Sequence, residues 1–440
     1  MGLIKARISK ENNEMLTVED LKNLKGKKVI VRVDFNVPHK GADISDDNRV
    51  TAAIPTIATL LKEGARVVLM SHLGKVKWKD IKKGKATMED IEKQMKKNDL
   101  SIVEKPLAEK LAAALGKEVK VSFVPATRGE ELKAAIDALN DGEVLLMQNT
   151  RYEAGEEAND AALAADWASN ADAFVMDAFG SAHRAHASTY GIPEILRKEG
   201  KPVAVGYLME KEVKNLGRCV HPTEEQRPYV AILGGSKVSS KIEVIDSLLK
   251  KCDKILIGGG MSYTFKKAVF GINIASSLCE EDQFDYARKC YATGKIVLSD
   301  DTIVVKGLDF DDLSKPVEDH TIIEGQNNFP EGYEGADIGP LTCKKYADII
   351  ATAKTIFWNG PMGVFENPAL QAGTKAVCEA CAEATKRGAF TVIGGGDSAA
   401  AAKVFGYANE FSHVSTGGGA SLELIQKDGH LPGIDVIEGE

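Results

Sequence analysis

Along its whole length the chain alternates between short apolar runs and segments whose apolar residues recur at helical spacing. Runs such as 144–147 (VLLM) and 230–233 (VAIL) are too short for helices and lack polar alternation. They read as strands buried on both faces. A strand that returns to its own sheet through a helix runs parallel to its predecessor, and this restricts the chain to an α/β fold. At 440 residues the chain is longer than a single core usually organises, so two or more domains are expected.

Ligands of open parallel sheets lie beyond the carboxyl ends of the strands, so the residues that close each run are the candidates for function. In the first half, the run 27–35 (KKVIVRVDF) delivers Asp34 and Asn36, for which turn formation beside Pro38 is an equally ordinary role. A helix is expected from Arg49 to about residue 62, and a cation in its first turn opposes the helix dipole, so Arg49 should be there to meet an anion. The run 66–71 ends at His72 and Lys75, the run 144–147 leads to Arg151, and the run 173–176 leads to His183 and Arg184. Cations gathered at one sheet edge suit a small phosphorylated or carboxylated substrate. Residues 77–98, dense in lysine, read as a solvated excursion containing a short helix, and 208–216 as a helix connecting two domains.

The second half is organised around 229–241, YVAILGGSKVSSK. A strand closed by Gly234 and Gly235 just before a helix exposes backbone N–H groups that attract phosphate. Lys237 and Lys241 are four apart, and a helix beginning at Lys237 would project both from one side. Further glycine-rich strand ends occur at 258–261 (GGGM), 359–366 (NGPMGVFE), 394–398 (GGGDS) and 416–420 (TGGGA). Glycine costs backbone entropy, so its repeated use implies a ligand lying against main chain. In GGGDS the helix-start N–H groups and the Ser398 hydroxyl suit a terminal phosphate, and Asp397 suits Mg²⁺.

The GxxxxGK[ST] phosphate loop is missing. Gly394, Gly396 and Ala399 fit a loose dinucleotide pattern, yet the next strand end offers Thr416-Gly417 where a dehydrogenase needs an acid, which disfavours that reading. A formal net charge of −8 argues against general nucleic-acid or anionic-membrane binding. Seven cysteines scattered without CxxC spacing suggest reduced thiols. The first fifteen residues lack a signal-peptide core, Ala6 stands where acylation after Gly2 needs Ser or Thr, and no run is long enough to span a membrane. Cytoplasm is the expected compartment.

The motifs VRVDFNVP (31–38), SHLG (71–74), DAFGSAHRAHAS (177–188), LGGSKVSSKIEVI (233–245), WNGPMGVFE (358–366), GGGDS (394–398) and SHVSTGGGASLEL (412–424) resemble, in this order and along nearly the whole chain, the phosphoglycerate kinase family. The resemblance implies two Rossmann-like parallel-sheet domains with helices on both faces, joined by a hinge helix. Residues 1–205 would bind 3-phosphoglycerate. Residues 206–424, opening with the interdomain helix, would bind MgATP or MgADP, and a tail from about 425 to 440 would pack back on the first domain. It also implies a cytoplasmic monomer.

Matched by position, Asp34, Asn36 and Arg49 would hold the glycerate end, and His72, Lys75, Arg151, His183 and Arg184 the 3-phosphate side. Arg49, Lys237 and Gly395 would be the catalytic residues. Gly235, Lys237, Lys241, Gly260, Asn359, Pro361, Glu366, Gly395, Gly396, Asp397 and Ser398 would bind nucleotide, with Glu366 on the ribose and Asp397 linked to Mg²⁺. The family's usual HLGRP is His72-Leu73-Gly74-Lys75-Val76 here, and Lys keeps the charge but loses the two-pronged contact with phosphate. The long 77–98 segment and the N-terminal extension carry no implied role.

Overall fold

The computed structural model describes residues 15–317 and 319–439. The expectations about a signal peptide, acylation and an N-terminal extension concern residues 1–14, outside the described residues. The chain divides into two compact units. One runs to Val213 and takes back the chain from His430, and the other runs from Lys214 to Gly429. This division falls inside the helix α2 (Tyr207–Val220) rather than before it.

The first unit is built on strands β1 (Lys28–Val33), β2 (Arg66–Met70), β3 (Val121–Val124), β4 (Val144–Met147), β5 (Ala173–Asp177) and β6 (Val203–Val205). They pair in the order β3-β4-β2-β1-β5-β6, all parallel. Val29, Val31, Val67 and Leu69 on one face meet Val50, Ile57 and Leu60 of α1 (Asn48–Lys62) in a continuous core. The connection from β1 leaves toward one sheet edge and that from β5 toward the other, which makes the β1/β5 boundary a topological switch point. Asp34 and the 178–186 segment follow directly from it.

The second unit repeats the plan with β7 (Tyr229–Leu233), β8 (Lys254–Ile257), β9 (Ile296–Val297), β13 (Thr355–Asn359), β14 (Phe390–Ile393) and β15 (His413–Val414), in the parallel order β9-β8-β7-β13-β14-β15. Every residue of β7 and of β13 is buried, which accounts for their unbroken apolar character. Here the switch point lies between β7 and β13.

Three features depart from the alternation read in the sequence. An antiparallel sheet, β10 (Asp301–Lys306) between β11 (Asp319–Glu324) and β12 (Glu334–Ile338), is inserted with its own small core around Tyr263, Val304 and Phe329. Residues 77–98 form two helices, Trp78–Lys82 and Met88–Lys97, and Ile91 is fully buried, so the segment is docked rather than merely solvated. No helix starts at Lys237. A loop anchored by buried Val238 and a short turn Ser239–Lys241 precede α3 (Ile242–Lys251). No helix among the described residues is long and apolar enough to cross a membrane.

Candidate active site

In the first unit, the charge at the start of α1 finds a protein partner: the Arg49 guanidinium pairs with the Asp34 carboxylate, itself buried at the end of β1. Asp34 also accepts the Asn36 N–H (3.1 Å), and Asn36 Oδ1 accepts the Gly74 N–H (2.8 Å), tying the loops after β1 and β2 together.

Arg32, absent from the candidates read in the sequence, lies fully buried near the carboxyl end of β1. It donates to Ser188 Oγ (2.8 Å), Val33 O (2.6 Å) and His72 Nδ1 (3.2 Å). A guanidinium only donates, so His72 Nδ1 accepts and its ring carries the proton on Nε2. Burial first, then Arg32, Arg151 and Arg49, hold the His72 pKa well below its ordinary value, so the ring is a neutral donor. His186, the second residue missed, is pushed down to about 3 by burial and by Arg32, Arg151, Arg184 and His183. Glu156 supplies the buried counter-charge. It accepts from both the N–H (2.9 Å) and the hydroxyl of Ser188, and burial raises its pKa against the pull of Arg32.

Arg151 is largely buried, with its backbone N–H on Asn149 Oδ1 (3.0 Å), its guanidinium on Gly74 O and its Nε 3.5 Å from Glu157. Arg184 is exposed and donates to His183 Nε2 (3.0 Å). The structure therefore brings His72, Arg151, His183 and Arg184 together with Arg32 and His186, as their mutual electrostatic effects show. Lys75 is not drawn in: it is exposed, and its ammonium makes no hydrogen bond or ion pair with a described residue. The C-terminal helix α6 (Pro432–Glu438) backs this cluster, with the Gly433 N–H on Ala182 O at 2.9 Å.

A cleft of about 350 Å³ opens at the second unit's switch point, with Gly235, Lys241, Asn359, Pro361, Gly396 and Asp397 in its wall. Its floor is main chain. A Cβ on Gly234 would stand 1.9 Å from Pro361 O, so only glycine lets the loops after β7 and β13 approach this closely. Gly395 has φ +122°, a conformation open to glycine, and caps α4 (Gly396–Val404). The first intrahelical bond there is Ala399 N–H to Gly395 O (3.2 Å), leaving the earlier N–H groups of the turn aimed out of the helix end. Gly418 and Gly419, at the start of α5 (Gly419–Gln426), line the same cleft and were not among the candidates, although the TGGGA signal was visible.

The two lysines separate. Lys241 is half-buried, bonds to Asn359 Oδ1, and has its pKa lowered by desolvation against the opposing charge of Asp397. Asn359 in turn donates to Gly394 O. Lys237 is exposed, and its ammonium makes no hydrogen bond or ion pair with a described residue. The expectation that both leave one face of a helix fails because the chain at Lys237 is not helical. Ser398 is fully buried and its Oγ accepts the Gly360 N–H (2.6 Å), so its hydroxyl braces the floor rather than facing the cleft. Gly260 packs against Ser236, and Glu366 is exposed outside the cleft wall.

Among the described residues no cluster of three or more His, Cys, Asp or Glu could hold a metal. Asp397, an exposed carboxylate in the first turn of α4, fits Mg²⁺ all the same, because that ion is commonly held by one carboxylate together with substrate phosphates and waters.

Two parallel α/β units, one presenting an arginine–histidine cluster and the other a glycine-floored cleft at a helix start, have the make-up of an α/β enzyme for anionic substrates, and the chain's relatives place it among the phosphotransferases. The phosphoglycerate kinase family profile matches residues 18–428. A phosphoglycerate kinase from Enterococcus faecalis is 48% identical over 427 residues, covering 96% of this chain and 98% of its own. Among solved structures, phosphoglycerate kinase from Coxiella burnetii superposes with a TM-score of 0.78 at 35% identity, covering 96% of this chain and 98% of that one. That from Pyrococcus horikoshii gives 0.73 at 28%, with the same coverages. The chain belongs to the phosphoglycerate kinase family.

Proposed function

We propose that the protein catalyses reversible phosphoryl transfer between 1,3-bisphosphoglycerate with ADP and 3-phosphoglycerate with ATP. The observation that carries this reading is the cluster of guanidinium groups around His72: Arg32, Arg49, Arg151 and Arg184 outnumber Asp34, Glu156 and Glu157, and the excess favours an anionic ligand. Neutral His72 and the Arg151 guanidinium hold the 3-phosphate, with Arg184 and His183 at its open side. Asp34 and Asn36 orient the glycerate, and Arg49, released in part from Asp34, turns toward the carboxylate.

In the second unit the N–H groups opening α4 and the Lys241 ammonium hold the nucleotide phosphates, and Glu366 the ribose. Asp397 and the nucleotide phosphates would hold Mg²⁺, which would supply neutralisation of phosphate charge. Lys237, unpaired within its own unit, is free to follow the equatorial oxygens as they move. A carboxylate acceptor carries no proton to remove, so the site requires no general base. Because each substrate sits on its own unit, transfer requires the half-sites to be brought together with water excluded. Free thiols at all seven cysteines support a reducing compartment, and we place the protein in the cytoplasm as a monomer, to be checked by light scattering.

The test is phosphoryl transfer from MgATP to 3-phosphoglycerate by the purified protein beside Lys237→Ala. Turnover in the wild type and its loss in the variant is expected. A wild type that is thermally stabilised by MgADP yet inactive would overturn the acceptor assignment.

A further inference from the structure

The docked segment 77–98 is fastened at several points to loops of the substrate half-site. The Trp78 indole N–H donates to Arg151 O at 3.0 Å. The Tyr152 hydroxyl, one residue beyond Arg151, donates to Met95 O. The Lys77 N–H is taken by Gln94 Oε1 (2.8 Å), which closes the segment on itself. At its far end, Asn98 occupies the space beside Gly74, where a Cβ would meet its Oδ1 at 2.0 Å. Asn98 Nδ2 donates to Lys75 O (3.2 Å), and its carbonyl accepts from Asn149 Nδ2 (2.9 Å).

The loops after β2 and β4, which carry His72 and Arg151, are thus tied to one segment, and the Arg151 guanidinium spans between them to Gly74 O. A cavity of about 50 Å³ lies between Trp78 and Arg151, with Lys79, Lys82 and Glu157 in its wall. That is room for a water or two, so close packing alone does not fix the Arg151 loop; its hydrogen bonds do.

We propose that residues 77–98 form a strap that positions the Arg151 loop for the substrate's 3-phosphate, with Trp78 as the positioning residue. The proposal rests on the reading of Arg151 as a phosphate ligand. Trp78 acts through the main chain of the Arg151 loop. It holds the Arg151 carbonyl, and the fork of the guanidinium is aimed by that backbone. With Lys75 exposed and outside the cluster, the loop carrying the largely buried Arg151 guanidinium is held from outside by the strap.

The experiment is steady-state kinetics on the full chain for Trp78→Phe, which keeps an aromatic ring and deletes the N–H, and for Tyr152→Phe. Each should raise KM for 3-phosphoglycerate ~3- to 10-fold while KM for MgATP and kcat stay within about twofold, as expected for one lost hydrogen bond acting on one substrate. In an Arg151→Ala background Trp78→Phe should have no further effect, because its influence passes through that side chain. Both single variants leaving KM for 3-phosphoglycerate unchanged, or shifting both substrates alike with a fall in melting temperature, would reduce the strap to a structural element and overturn the proposal. An undiminished Trp78 effect in the Arg151→Ala background would also overturn it. Should Arg151→Ala itself leave KM unaltered, the phosphate assignment is the part that fails, and the strap's role falls with it.

Discussion

At position 75, where the resemblance implies a guanidinium, the chain carries an ammonium group on a flexible stem, exposed and without a described hydrogen-bond partner. Lys75→Arg should therefore lower KM for 3-phosphoglycerate by about two- to fivefold and leave KM for MgATP alone, since a two-pronged contact replaces a point charge. Initial-rate measurements with each substrate varied in turn check this. Lys237 and Lys241, four residues apart, make a sharper contrast. Lys237→Ala should reduce kcat by about 100-fold or more while MgADP still raises the melting temperature, because only the transit of the phosphoryl group loses a partner. Lys241→Ala leaves Asn359 Oδ1 without its donor and should weaken MgADP itself, readable by calorimetry. The spacing of these lysines was legible in the sequence, but their division of labour was not, because the backbone path through Gly235–Val238 decides it.

At the scale of elements, β5 and α2 are joined by Asp177, whose Oδ1 accepts the N–H groups of Leu208 (3.0 Å) and Met209 (3.3 Å) at the start of the helix. Burial raises the Asp177 pKa from 3.8 to about 7 against those bonds. The unfolded chain releases this proton near pH 4 and the folded one near 7, so the group's stabilising contribution is complete at the acid end and is lost as pH rises through that window, by roughly 4 kcal/mol at most. Asp177→Asn keeps the accepting oxygen and removes the titration. Its melting temperature relative to wild type should climb between pH 4 and pH 7 and then level off, as followed by calorimetry across pH.

Gly234→Ala forces the loops after β7 and β13 apart and should cost about 1–3 kcal/mol together with nucleotide affinity, readable by denaturant titration and MgADP binding. The parallel strands themselves were legible, since a short unbroken apolar run between helical segments is best buried as a central strand covered on both faces. The antiparallel insertion β10–β12 was not, because β11 is largely exposed and carries no apolar run. Arg32 had a readable signal, a charge inside the apolar run of β1, which obliges a buried partner. Its partners Ser188 and Glu156, more than a hundred residues away, are brought to it only by the fold.

For the whole molecule, separate half-sites predict separable ligand effects. MgADP alone and 3-phosphoglycerate alone should each raise the melting temperature. A chelator should abolish turnover and shrink the ADP effect while leaving the 3-phosphoglycerate effect intact. A floor built of peptide groups has a consequence for anyone redesigning the enzyme. Peptide groups are the same in every residue, so mutagenesis at Gly234 or Gly395 has little chemical vocabulary with which to improve them and much with which to ruin them. Libraries aimed at a different nucleotide should instead draw their variation from Leu422, Ser236 and Ser240, which line the same cleft and carry side chains that can be changed.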